Sequence, residues 1–235
     1  MNATSNYNAD KEKYGTRKQR ILIVTAVEAE KEAVLRGLQD GETPVTVIAA
    51  GAGVSAAAAG TAAALAQEPE AYRLVISAGI GGGFPGRAEI GTLVLADSIE
   101  AADLGAETPD NGFIGIDELG FGTSEAAVSE TWTARVFEAI RTAGLPVSRG
   151  AVLTVTTATG SAETTAKLVA RVPGAAAEGM EGHGVATAAA LFDVPVIELR
   201  AISNAVGPRD RASWRIGEAL AALEAASKAI REVIL

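Results

Sequence analysis

Cysteine is absent and histidine occurs once in the 235 residues, so disulfides, cysteine-based zinc sites and histidine-rich metal clusters are excluded. Chemistry then falls to carboxylates, amides and backbone groups, with neither metal nor cofactor required. Positive charge is scarce as well. Lys and Arg number 20 against 29 Asp and Glu, a formal net charge of −9, and no basic stripe is present to neutralise phosphates. Nucleic acid is therefore not an expected partner, and a small molecule is.

Residues 2–20 lack the apolar core of a signal peptide, which makes the cytoplasm the default address. Residues 1–19, polar and without periodicity, read as a disordered tail, and residues 20–235 as one domain. Residues 43–67 carry no charged side chain and are long enough to span a bilayer. Their apolar content is mostly alanine, however, with Gly51, Gly53 and Gly60 interspersed and Pro44 near the head. A strand, a glycine turn and a helix describe them better than a membrane span.

What is present is alternation. Short β-rich runs at 21–25, 45–49, 74–77, 92–101, 149–156 and 194–203 are interleaved with helical patterns at 28–38, 54–66, 130–143, 163–171, 182–192 and 213–230. Crossovers of this kind imply a largely parallel sheet, and the fold class predicted is α/β, a three-layer α/β/α sandwich around a mixed, largely parallel central sheet. Residues 103–124 form a Gly- and Asp-rich loop of a length that is usually functional or disordered.

In an open α/β sheet, ligands bind beyond the carboxyl ends of the strands, and two polar clusters, residues 178–184 and 200–211, fall there. Glu28 and Glu30 follow the first strand and open a helix, where the dipole favours carboxylates. That suffices for Glu28, whereas Glu30 is also placed to polarise a water over the sheet edge. Gly51 and Gly53 resemble part of a dinucleotide fingerprint, but without an acidic residue at the end of a second strand they read as a tight strand-to-helix turn. Ile80-Gly81-Gly82-Gly83 lets backbone approach a ligand closely, and no Gly-Lys-Ser/Thr follows to make it a phosphate-binding loop. Glu181 beside Met180 offers a carboxylate for sugar hydroxyls and an apolar surface for the ring face, the alternative being a helix N-terminal carboxylate. Ser203 and Asn204 end the 194–203 run, and His183 reads as a structural or exposed helix residue.

The pattern Thr25-Ala26-Val27-Glu28-Ala29-Glu30, residues 77–83, Glu178-Gly179-Met180-Glu181 and Arg200-Ala201-Ile202-Ser203-Asn204 resembles the nucleoside phosphorylase/nucleosidase superfamily from Arg20 onward. Within it, Asp103-Leu104-Gly105-Ala106-Glu107, residues 117–122 and residues 204–211 resemble the futalosine hydrolases of the alternative menaquinone pathway. The resemblance implies a nucleoside phosphorylase-like fold and a hydrolytic N-glycosidase releasing hypoxanthine from a nucleoside substrate. It implies Glu30 as the carboxylate that activates water and Asn204 as the reader of the base. Ile80, Gly81, Gly82, Thr159, Gly179, Met180 and Glu181 would contact substrate, and the assembly would be a homodimer or larger homo-oligomer. Asn204 stands where adenosine-specific members carry an aspartate, a change that suits the carbonyl of a 6-oxopurine. The aromatic that stacks on the base in those enzymes aligns with Ala158 or Thr159. Arg209 or Arg211 would clamp the carboxylate of the substrate's five-prime arm, the alternative being a pairing with Asp210. Arginines at the phosphate-holding positions are missing, since Arg73 precedes the strand and Arg87 follows the loop, so water rather than phosphate is the expected nucleophile. The runner-up is an adenosine-type nucleosidase; a noncatalytic binding module would have no reason to keep Glu30 together with Glu181.

Overall fold

The computed structural model describes residues 20–38, 44–110 and 112–234. The tail expected at residues 1–19, together with Thr43, Asn111 and Leu235, lies outside them. In chain order the elements are β1 (Arg20–Thr25), α1 (Glu28–Leu38), β2 (Val45–Ala49), α2 (Val54–Gln67), β3 (Tyr72–Gly83), β4 (Leu93–Ala101), β5 (Gly105–Glu107), β6 (Phe113–Gly115) and β7 (Glu125–Ala126). They continue with α3 (Glu130–Thr142), β8 (Val147–Thr154), α4 (Ala162–Arg171), β9 (Ala175–Gly179), α5 (Gly182–Leu191), β10 (Val196–Ala205), a 3₁₀ turn (Arg211–Ser213) and α6 (Ile216–Ile234).

Hydrophobic period dictates the layering near β1. Ile21 and Ile23 enter one core with Ala33 and Val34 of α1 and Leu223 and Ile230 of α6, whereas Leu22 and Val24 enter a second core with Ala57 of α2 and Val185 and Ala189 of α5. Successive side chains of a strand point to opposite faces, so an unbroken apolar run such as Ile21 to Val24 needs helices on both sides. Each fully buried Leu or Ile contributes about 1.5–3 kcal/mol. Truncating Ile76 to Ala, in the middle of β3 at 1% exposure, would cost about 2–5 kcal/mol.

The expected three-layer sandwich around an open sheet is corrected at the centre. Strands β3, β10, β4, β8 and β9 pair in succession and β9 returns to β3, closing a five-stranded ring, while β1 and β2 extend outward from β3 and β7 adds to β4. The sheet is mixed: β1–β2, β1–β3, β3–β10, β4–β8 and β8–β9 are parallel, and β4–β10, β3–β9 and β4–β7 antiparallel. The physical cause lies in β3. The residues read as a glycine loop belong to the strand itself, which runs for 12 residues, and a Cβ on Gly81 would stand 2.6 Å from the carbonyl oxygen of Glu178. Only glycine admits β9 that closely. Within the 103–124 loop the chain forms the small β5–β6 hairpin, and strand β7 follows directly after it.

β3 changes neighbours along its length. β1 pairs with it as far as Ser77, and β9 joins at Gly82. Between those points one flank of β3 has lost β1 and not yet gained β9, the kind of switch at which α/β sheets place ligands. Among the described residues no helix is long and apolar enough to cross a membrane.

Candidate active site

Glu30 fills the flank that β1 vacates. The carboxylate is 4% exposed; its Oε1 accepts from the Ile80 amide at 2.9 Å, and its Oε2 accepts from Ala26 and Val27 at 2.9 and 3.2 Å. A group that closes the first turn of α1 thus also takes over a β3 amide stranded by the departure of β1, and its direction is set by three backbone donors. Glu28, two residues earlier, is exposed.

Glu181 arrives from the other side of the switch, between β9 and α5. Its Oε1 accepts from the Gly53 amide at 3.0 Å and its Oε2 from the Met180 amide at 3.2 Å. The fingerprint-like turn therefore acts as a tight turn and also as a holder of this carboxylate. Gly53 has φ 91° and ψ 155°, a conformation essentially restricted to glycine.

Arg200 joins the two. Fully buried on β10, it lies 3.3 Å from Glu181 Oε2 through Nη1, donates from Nε to Glu198 Oε1 at 2.8 Å and from Nη2 to the Ser77 hydroxyl at 3.2 Å. Arg200 Nη1 and Glu30 Oε1 each stand 2.7 Å from the place a Cβ on Gly79 would occupy, so they are near neighbours across that backbone. Burial works against the charge on Arg200, but Glu198, Glu181 and Glu30 together outweigh it and hold its pKa above the ordinary value. Burial pushes the Glu198 carboxyl up while Arg200 pulls it back.

Asn204 ends β10 opposite Gly82 of β3. Its Oδ1 is 2.8 Å from the Ser203 hydroxyl, which also lies 3.2 Å from the Gly81 carbonyl, and its Nδ2 donates to the Ala205 carbonyl at 3.0 Å. With the hydroxyl donating to its nearer neighbour, the amide is oriented with its NH₂ as the outward donor. Gly82 also pairs with Glu178 on its other side. The Thr159 amide donates to Glu178 Oε1 at 2.9 Å and its hydroxyl to Glu178 Oε2, so both donors of Thr159 are already engaged. The Thr156 amide donates to Asp103 at 2.6 Å, which ties the same loop at its other end.

Around the end of β3 the fold thus brings together Glu30, Ile80, Gly81, Gly82, Gly179, Met180, Glu181 and Asn204. It does not gather Arg209 and Arg211. These are exposed on the loop after β10, 5.2 and 5.8 Å from the Trp214 ring, while Asp210 accepts from the Ala212 amide instead. The loop is tied back where the Arg209 amide donates to Gly160 at 3.2 Å. Arg73 packs on Trp132, and Arg87 donates to the Pro173 carbonyl; neither enters the bonding around Glu30. His183 is half-buried in the first turn of α5, its amide donating to the Thr154 hydroxyl, and burial lowers its pKa. Three groups of this arrangement have no role assigned by the sequence: Glu178 and Arg200, which stand there only as members of motifs, and Glu198. The last two carried a signal, because opposite charges at i and i+2 in an apolar strand share one face and need each other there.

Comparison with known proteins gives the family. Residues 16–235 match the Phosphorylase superfamily. The chain is 50% identical to the futalosine hydrolase of Streptomyces coelicolor over 220 residues, covering 86% of this chain and 91% of that protein. It is 46% identical to the futalosine hydrolase of Acidothermus cellulolyticus over 89% of each. Among solved structures, futalosine hydrolase of Helicobacter pylori superposes with a TM-score of 0.79 at 20% identity, covering 92% of this chain and 98% of that one. The 5'-methylthioadenosine/S-adenosylhomocysteine nucleosidase of Neisseria meningitidis, in complex with methylthio-immucillin-A, gives 0.75 at 19% identity over 92% and 98%. At those identities the superpositions speak for the fold alone; the family model over residues 16–235 and the match at 50% identity over 86% of the chain place it in the phosphorylase superfamily as a member of its futalosine hydrolase family.

Proposed function

We propose that this protein hydrolyses the N-glycosidic bond of futalosine, giving hypoxanthine and dehypoxanthine futalosine, a step of menaquinone biosynthesis. The observation that carries the reading is that Glu30 and Glu181, far apart in sequence, are brought to one place: Arg200 Nη1 lies 3.3 Å from Glu181 Oε2, and Glu30 stands beside it at Gly79. Glu181, held by Gly53, grips the ribose hydroxyls, with Met180 under the sugar. Water attacks the anomeric carbon as the carbon–nitrogen bond breaks, its electron pair passing to the purine. Glu30 accepts the proton of that water and returns it to solvent, and the departing base takes one up. The transition state is cationic at the sugar, and a carboxylate-rich site stabilises it; a well-placed general base contributes about 10²–10⁴-fold.

The same charge balance favours water over phosphate. Arg200 is outnumbered by the carboxyl groups of Glu30, Glu181 and Glu198 around it, so a phosphate dianion entering there meets net repulsion. Asn204 favours hypoxanthine, because the outward NH₂ gives a hydrogen bond to a 6-carbonyl and faces a 6-amino group donor to donor. The exposed Arg209 and Arg211 beside Trp214 are suited to the aromatic carboxylate of the five-prime arm. On this reading the enzyme works in the cytoplasm as a homodimer or larger homo-oligomer, which the family resemblance supports. The test is incubation with futalosine, inosine and methylthioadenosine, with and without inorganic phosphate, followed by chromatography of the free base and sugar. Cleavage of futalosine to an unphosphorylated sugar is expected; a ribosyl 1-phosphate product, or preference for methylthioadenosine, overturns the reading.

A further inference from the structure

Glu198 is 0% exposed and sits two residues before Arg200 on β10, so both side chains leave the strand on one face. Its Oε1 accepts from Arg200 Nε at 2.8 Å. Its Oε2 has no hydrogen-bond partner and lies against Gly182, where an added Cβ would stand 2.1 Å from it. One carboxyl group therefore touches both the guanidinium and the turn that follows Glu181. A buried acid with an unsatisfied oxygen is a standing cost. A valine or leucine there would simply continue the apolar run of Val194, Val196, Ile197 and Leu199. The compensating gain is in direction. With Nε held by Glu198 and Nη2 by Ser77, the plane of the guanidinium is set, and Nη1 is left to Glu181.

We propose that Glu198 is the positioning residue of this site, holding Arg200 by Nε and bracing Gly182 so that Nη1 meets Glu181 in one fixed direction, on the side where Glu30 stands. The inference deepens the hydrolase reading of the same site and rests on it only for the choice of substrate. Glu198 acts through Arg200 and touches no reacting atom.

The experiment compares Glu198→Gln, Glu198→Val, Arg200→Met and the double variant Glu198→Val/Arg200→Met in the full chain. Rates are read as ratios to the parent on whichever of futalosine, inosine and methylthioadenosine the parent cleaves, and melting temperatures are read without substrate. Gln keeps an oxygen for Nε and is expected to stay within about tenfold of the parent kcat/KM, whereas Val, leaving the guanidinium free to turn, is expected to lose about 10²-fold, the scale of an ångström's misplacement. Glu198→Val is expected to melt below the double variant, which carries no stranded cation. A Glu198→Val chain that fails to fold while the double variant folds is the same result in stronger form. The proposal is overturned if Val keeps a rate within about threefold of the parent, inside the range of ordinary surface substitutions, if Gln and Val are equally impaired, or if the two single melting losses add in the double variant. A parent that leaves futalosine uncleaved sinks the substrate reading alone, since the melting cycle still decides the Glu198–Arg200 coupling.

Discussion

The Gly53 amide donates to Glu181 Oε1 at 3.0 Å across 128 residues of chain. It ties the turn between β2 and α2 to the turn between β9 and α5 at the site. Gly53 holds φ 91° with nothing within 4 Å of where a Cβ would stand, so a substitution there meets open space and its cost is one of backbone alone.

Gly53→Ala tests that hold. The conformation costs a residue other than glycine about 1–3 kcal/mol, and melting falls by about 2–4 °C per kcal/mol in a chain of this size. Relaxation of the turn would withdraw the amide from Glu181, so KM for futalosine is expected to rise about tenfold, one lost hydrogen bond to a charged group being worth about 1.5–3 kcal/mol. Steady-state kinetics beside a thermal melt check it. A melting loss with KM unchanged would mean that Gly53 shapes the turn without serving Glu181.

Glu30→Gln should lower kcat by about 10²–10⁴-fold, the contribution of a general base. The substitution is not structurally silent. Both oxygens of Glu30 accept backbone hydrogens, from Ile80 on one side and from Ala26 and Val27 on the other, so a glutamine must turn its NH₂ toward a donor. That conflict costs about 1–3 kcal/mol, visible as a lower melting temperature in a variant that still folds. Turnover of futalosine within about tenfold of the parent would remove Glu30 from the role of base, since the expected loss is at least 10²-fold.

Asn204→Asp should shift selectivity toward the 6-amino analogue of futalosine. The Ser203 hydroxyl fixes Asn204 with its oxygen inward, and turning the amide over to serve an amino group would break that bond at about 1–3 kcal/mol, tenfold or more in selectivity. An aspartic acid carries no such conflict. The ratio of kcat/KM for the two substrates, in parent and variant under one buffer, measures it. An unchanged ratio would make Asn204 structural. The Thr159 amide and hydroxyl would be poor substitutes as readers of the base, because Glu178 already engages both.

Glu178 gives stability a pH dependence. Burial pushes its carboxyl above the usual value, against the hydrogen bonds from Thr159. The folded chain therefore holds this proton more tightly than the unfolded one. The stability involved is full below the unfolded pKa of about 4.3 and is lost as pH rises through the folded value. Replacing Glu178 by Gln removes that dependence, so the melting temperature of the parent relative to the variant should fall as pH rises from about 4 through the raised folded value. Paired melts across that window decide it, and a difference that stays constant with pH would mean Glu178 titrates alike in both states.

Much of this was legible in one dimension. The apolar runs and helical periods placed β1, α1, β2 and α2 nearly residue for residue, because an uninterrupted Ile-Leu-Ile-Val run has no stable alternative to a strand covered on both faces. Glu30 stood out as a carboxylate just beyond a strand, and Glu181 as an acceptor beside an apolar side chain at the head of a helix. Strand β9 was not legible: Ala175–Gly179 contains no β-branched or aromatic residue, and only its neighbours β3 and β8 make it a strand, as context overrides propensity. The glycines of β3 read as a loop for the same reason, since what they accommodate is a chain segment about a hundred residues away. Composition and order determined which groups the protein had to work with: carboxylates, one well-placed amide and no thiol. Closure of the ring, the change of neighbours along β3 and the meeting of Glu30, Glu181 and Glu198 around Arg200 were decided only in three dimensions, because they depend on strand register and close backbone approach, which no local stretch of the chain encodes by itself.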